Sequence, residues 1–122
     1  MRTRILSLLP AFLVAACVPL AHRSAHLQHV ILVELAHDAD VPLMRADTER
    51  ILPTIPTVRR WVCGAPVDIG RPQVSQDYDL GILVEFDSVD DYRAFLEDPA
   101  HQALVRTRRP RWKRATIVDF AP

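Results

Sequence analysis

The sequence has only three glycines among its 122 residues, and this scarcity restricts what its backbone can bind. Loops that wrap phosphate groups use several glycines, because only glycine lets the backbone approach the phosphate closely. A phosphate-binding loop is therefore nearly excluded. The spacing of a Ser-His-Asp triad and paired catalytic carboxylates are absent as well, so neither motif predicts a reaction.

An excess of either charge is also missing. The chain has 15 basic and 15 acidic residues, so its formal net charge is zero and gives no overall attraction to nucleic acid. Six of the basic residues form a basic run over residues 106–114. Such a run usually faces solvent. On a membrane-attached protein it would alternatively contact anionic lipid headgroups, each residue contributing about 1 kcal/mol near the surface.

An apolar run long enough to span a bilayer is absent too. Residues 5–13 are apolar but short, and they follow Arg2 and Arg4, which is the arrangement of a signal peptide. Small residues then precede Cys17, a pattern that resembles the bacterial lipobox, in which the cysteine is acylated and becomes the mature N-terminus. The alternative is an ordinary cleaved signal peptide with an incidental cysteine.

We therefore expect residues 1–16 to be a lipoprotein signal peptide and residues 17–28 to be a tether. The lipid on Cys17 would hold the protein in the cell envelope, on the periplasmic side of a bacterial membrane. Cys63 would then be the only thiol, so no internal disulfide could form. We interpret Cys63 as a small buried hydrophobic residue rather than a reactive thiol.

The rest of the chain alternates between strand and helix patterns. Alternating apolar residues predict four strands: residues 29–35, 57–64, 77–87 and 112–120. Apolar residues at helical spacing predict a helix after the first strand. They predict another helix after the third strand, with Ser88 as its N-cap, and a further short helix that begins at Pro99. The order βαββαβ predicts an α+β protein with a ferredoxin-like antiparallel sheet and its helices on one face.

The first predicted strand is apolar on both of its faces. His29, Ile31 and Val33 share one face, whereas Val30 and Leu32 lie on the other. Because the helices cover only one side of the sheet, the second side needs another cover. A second copy of the chain is the simplest cover, so we expect a homodimer.

Ordered motifs extend over residues 29–120. They are His29 at the start of an apolar strand, Ile55-Pro56-Thr57-Val58 followed by Gly64, Tyr78-Asp79-Leu80, Phe86-Asp87-Ser88, Asp98-Pro99-Ala100-His101 and Val118-Asp119-Phe120. In this order they resemble the stress-responsive A/B barrel domain family. The resemblance implies a dimeric α+β barrel in which each subunit has a pocket between its sheet and its helices.

The family also implies roles for individual residues. A plant cyclase of the family uses a histidine and a tyrosine, and the resemblance places the catalytic histidine at His101, with Asp119 as the acid that orients it. The tyrosine position is Phe95 here, so the hydroxyl of the cyclase is missing and its chemistry is not transferred. The residues expected to contact a ligand are His29, Ile31, Val33 and Phe95.

Three functions fit these residues. The first is binding of a small apolar or aromatic molecule, and the second is a cofactor-free lyase or cyclase with His101 as general base. The third is a structural dimer with a vestigial pocket. A metal site at His22, His26 and His29 is not favoured, because an extended chain puts the last two on opposite faces. We expect no metal, no cofactor and no nucleic-acid partner.

Overall fold

The computed structural model describes residues 27–122, so the predicted signal peptide, Cys17 and most of the predicted tether lie outside the described residues. The elements are β1 (Leu27–Leu35), α1 (Asp40–Ile51), β2 (Arg60–Gly64), β3 (Leu80–Phe86), α2 (Val89–Glu97), α3 (Pro99–Arg108) and β4 (Trp112–Phe120). Short 3₁₀ turns follow α1 at Leu52–Thr54 and α3 at Arg109–Arg111. Within this part of the chain, no helix is long and apolar enough to cross a membrane.

The four strands form one antiparallel sheet in the order β2-β3-β1-β4. This is the ferredoxin-like arrangement, so the predicted fold class is confirmed. β1 begins at Leu27, two residues earlier than the sequence pattern indicated, because Leu27 is buried and pairs with Phe86. β2 begins at Arg60 instead of residue 57, since the amide of Val58 turns back to donate a hydrogen bond to the carbonyl of Ile55.

One face of the sheet carries the core. The alternate residues of β1 that begin with Leu27 face the helices, as do Leu80, Val84 and Phe86 of β3. The hydroxyl of Ser88 accepts a hydrogen bond from the amide of Asp91 at 3.0 Å, which confirms the predicted cap of α2. This cap fixes the start of α2 and so turns Phe95 into the core, where it is 2% exposed.

The opposite face of the sheet has no helix over it among the described residues. Val30, Leu32 and Leu83 lie at its centre and line a shallow depression. Val62 of β2 and Val118 of β4 extend the apolar surface toward both edges, and they are 56% and 50% exposed. We call these five residues the outer sheet face. An apolar surface of this kind marks a site of contact with another molecule.

Candidate functional site

A cavity of about 600 Å³ lies between the sheet and the helices. The sheet contributes His29 and Ile31 from β1, and α3 contributes His101 and Leu104. Ile117 of β4 also lines the cavity and is 53% exposed, so the helices leave this edge of the sheet partly open. Small-molecule sites in proteins usually measure about 300–1,000 Å³ and are lined mostly by apolar residues with a few polar groups.

A hydrogen-bonded polar cluster beside the cavity joins β1, β4 and α2. His29 and Asp119 face each other across the β1–β4 pairing, and His29 Nδ1 lies 2.5 Å from Asp119 Oδ1. The hydroxyl of Tyr92 donates a hydrogen bond to Asp119 Oδ2 at 3.1 Å and lies 3.1 Å from His29 Nδ1. Because an ionised carboxylate only accepts hydrogen bonds, His29 carries a proton on Nδ1.

Tyr92 is a member of the site that the sequence analysis did not assign. Burial raises its pKa to about 12, and the hydrogen bond to Asp119 acts in the same direction. The phenol therefore keeps its proton and remains a hydrogen-bond donor at neutral pH. In the sequence, Tyr92 lies one helical turn before Phe95 on the apolar face of the predicted helix. This position indicated that its hydroxyl would be buried and would need a hydrogen-bond partner.

His101 is held in the first turn of α3. Asp98 caps this helix, because its carboxylate accepts a hydrogen bond from the amide of Ala100 at 2.8 Å, and Pro99 fixes the first helical position. The imidazole ring lies against Phe95, with 4.1 Å between the ring centroids. His101 Nδ1 is buried without a hydrogen-bond partner, so Nε2 is the ring nitrogen left for a ligand.

The electrostatic environment keeps His101 neutral. Burial lowers its pKa below the ordinary value, and the nearby His29 acts in the same direction. The backbone carbonyl of Leu96 opposes this effect without outweighing it. Asp119 does not orient His101 as the family resemblance implied, since its carboxylate is bonded to His29 and Tyr92.

The other residues predicted to contact a ligand divide into two groups. Ile31 and Phe95 line the cavity, as does His29. Val33 does not, because it is 0% exposed and packs inside the core cluster. Cys63 also lies away from the cavity, and burial raises the pKa of its thiol, which makes it a poor nucleophile. Between residues 27 and 122, no three His, Cys, Asp or Glu side chains are grouped to hold a metal ion.

The basic run between α3 and β4 forms several ion pairs instead of simply facing solvent. The Arg108 guanidinium lies 2.6 Å from the carboxylate of Asp47 on α1, and both side chains are largely buried. The ammonium group of Lys113 lies 2.6 Å from the carboxylate of Glu34 on β1. These pairs attach the run to the sheet and to α1, so part of the run has a structural role.

The fold and the cavity define a ferredoxin-like α+β domain with a mainly apolar pocket between its sheet and its helices. The model of the stress responsive A/B barrel domain family matches residues 26–122, and the chain belongs to this family. No curated protein matches the sequence.

Solved structures with the same fold include proteins of different kinds. A dimeric ferredoxin-like protein of unknown function from Thermobifida fusca is 22% identical over 84% of this chain and 96% of its own, with a TM-score of 0.67. A family member from Mesorhizobium loti is 23% identical over 81% and 98%, with a TM-score of 0.69. A hydroxynitrile lyase from Passiflora edulis is 13% identical over 79% and 92%, also with a TM-score of 0.69. At these identities the similarity shows the fold alone.

Proposed function

We propose that this protein binds a small apolar or aromatic molecule that carries a hydroxyl group. The observation that carries the proposal is the cavity of about 600 Å³, whose mainly apolar wall includes two histidines. Neutral His101 offers Nε2 as an acceptor. A hydroxyl group of the ligand would donate to this nitrogen, and its apolar body would contact Ile31 and Phe95.

The pH dependence of binding tests this role of His101. We expect 2-naphthol to bind more tightly as the pH rises through the pKa of His101, because only the neutral imidazole accepts a hydrogen bond at Nε2. NMR titration should place that pKa below 6.5, and bound 2-naphthol should lower it further by stabilising the neutral form. The substitution His101→Ala should weaken binding about fivefold, the value of one hydrogen bond.

A matched control is available in His37, which is exposed in the loop after β1. His37→Ala should leave the affinity for 2-naphthol unchanged in a calorimetric titration. If His101→Ala lowers the melting temperature but leaves the affinity unchanged, His101 only braces the fold. Failure of the wild-type protein to bind 2-naphthol or other small aromatic molecules would favour the structural dimer with a vestigial pocket.

A second candidate function is acid–base catalysis without a cofactor, as in a lyase or cyclase. The contact between His29 and Asp119 favours it, because a carboxylate that holds Nδ1–H makes Nε2 a better proton acceptor. His101 as general base remains the alternative assignment, and its lowered pKa keeps it unprotonated. Exchange of an acidic C–H of a bound ligand with deuterated solvent would distinguish catalysis from binding.

We also propose that the protein is a homodimer through the outer sheet face. Exposed Val62 and Val118 flank a centre formed by Val30, Leu32 and Leu83, and this surface has no cover within the described part of the chain. The similar protein from Thermobifida fusca is dimeric, which supports the same assembly here. A self-complementary sheet surface of this kind suits a two-fold interface.

The remaining part of the proposal is a lipid anchor on Cys17, which rests on the sequence pattern alone. We expect Cys17→Ser to move the protein from the membrane fraction to the soluble fraction, or to leave it as an unprocessed precursor. Mass spectrometry of the wild-type protein should detect the added acyl groups. Cys63→Ser is the matched control and should leave fractionation unchanged. An unmodified wild-type Cys17 would contradict the anchor.

A further inference from the structure

Among residues 27–122, the charged side chains that line the cavity all have the same sign. They are the four cations Arg108, Arg109, Lys113 and Arg114, whereas Asp119 is bonded to His29 and Tyr92 and does not itself line the cavity. These cations lie at the end of the cavity formed by the C-terminus of α3 and the start of β4. An apolar cavity with cations at one end favours a ligand with a negative charge at the corresponding end.

Three of these four cations have carboxylate partners. Arg108 pairs with Asp47 at 2.6 Å. Lys113 and Arg114 share the single carboxylate of Glu34, at 2.6 and 3.2 Å. One carboxylate therefore neutralises two cations at the start of β4, and a positive charge remains in excess there.

The side chain of Arg109 makes no ion pair or hydrogen bond with residues 27–122. Its guanidinium therefore remains available to an anion at the end of the cavity. Arg109 begins the 3₁₀ turn directly after α3 and follows His101 by eight residues, which corresponds to about 12 Å along a helix. Leu104 and Val105 line the cavity between these two positions. This part of the cavity wall therefore has the hydrogen-bond acceptor of His101 at one end and the guanidinium of Arg109 at the other, with apolar side chains between them.

We propose that the ligand is an aromatic or apolar carboxylic acid whose carboxylate pairs with Arg109. This inference rests on the proposed binding function and specifies the class of its ligand. A guanidinium binds a carboxylate with two parallel hydrogen bonds, so one free arginine matches one carboxylate in charge and geometry. A doubly charged phosphate would also need the excess charge of Lys113 and Arg114, which Glu34 already holds, so a carboxylate is the better match to Arg109 alone.

Two compounds that differ only by a carboxylate test the proposal on the full-length protein. We expect 6-hydroxy-2-naphthoate to bind about fivefold more tightly than 2-naphthol in a calorimetric titration, a difference typical of one partly exposed ion pair. Arg109→Gln should remove this difference and leave the affinity for 2-naphthol unchanged. Naphthyl phosphate should bind no more tightly than the carboxylate.

Arg106→Gln is the matched control, since Arg106 is also exposed on α3 but does not line the cavity. It removes the same charge and should preserve the preference for the acid. Equal binding of the two compounds by the wild-type protein would overturn the proposal while leaving the pocket function intact, and so would an Arg109→Gln protein that still prefers the acid. If naphthyl phosphate binds more tightly than 6-hydroxy-2-naphthoate, the proposal that the charged group of the ligand is a carboxylate is wrong. If neither compound binds, the pocket function and this inference both fail.

Discussion

Replacing Leu32 with lysine is expected to abolish the proposed homodimer. Leu32 lies at the centre of the outer sheet face, on the central strand β1. Two-fold symmetry would bring the new ammonium group into the interface from both subunits. An unpaired charge buried in this way costs about 3–5 kcal/mol, and the ammonium groups would also repel each other. The measurement is sedimentation equilibrium of wild type and variant at micromolar concentration.

Leu43→Lys provides a matched control for this substitution. Leu43 is 50% exposed on α1, away from the outer sheet face, so the same exchange should leave the dimer intact. A Leu32→Lys protein that remains dimeric would show that another surface forms the interface. A wild-type protein that is monomeric at micromolar concentration would contradict the homodimer itself.

Phe86→Ala is expected to lower the free energy of unfolding by about 3–5 kcal/mol. Phe86 is 0% exposed, and its ring centroid lies 5.2 Å from that of Tyr92 and 5.0 Å from that of Phe95. Removing the ring leaves a cavity beneath α2 that neighbouring side chains fill only partly. Urea unfolding, followed by circular dichroism at one protein concentration, measures this change.

The control for Phe86→Ala is Ile69→Ala, which truncates a large apolar side chain that is 69% exposed in the loop between β2 and β3. Its effect should stay within about 0.5 kcal/mol. A similar loss of stability in both variants would mean that the burial of Phe86 does not determine the cost. A Phe86→Ala protein as stable as the wild type would contradict the assigned core.

Much of the fold could be predicted because its strands and helix caps are encoded locally. The alternation of apolar residues predicted β4 with its observed limits, Trp112–Phe120. Ser88 as the N-cap predicted the start of α2. β2 was predicted three residues too long, since Thr57 and Val58 have strand-forming side chains but belong to a turn. The strand preference of single residues does not show where the neighbouring strand β3 ends, and so it does not show where β2 can pair with it.

The site was predicted less completely than the fold. The resemblance assigned Asp119 to His101, whereas in the structure the carboxylate of Asp119 is bonded to His29. The pairing depends on which residue of β4 lies opposite His29, and that register is a long-range property that local patterns do not contain. Tyr92 was missed for a similar reason, because only the packed structure brings its hydroxyl to Asp119.

The pairing of β1 with β4 also links the two faces of the sheet. Asp119 lies opposite His29 on the sheet face that carries the helices, and the preceding residue, Val118, lies opposite Val30 on the other face. Because side chains alternate along a strand, a shift of β4 by one residue would put Val118 into the cavity and the carboxylate into the proposed dimer interface. Inserting or deleting one residue in the turn at Arg109–Arg111 would tend to cause such a shift. The length of that turn therefore constrains the proposed ligand site and the proposed dimer interface together.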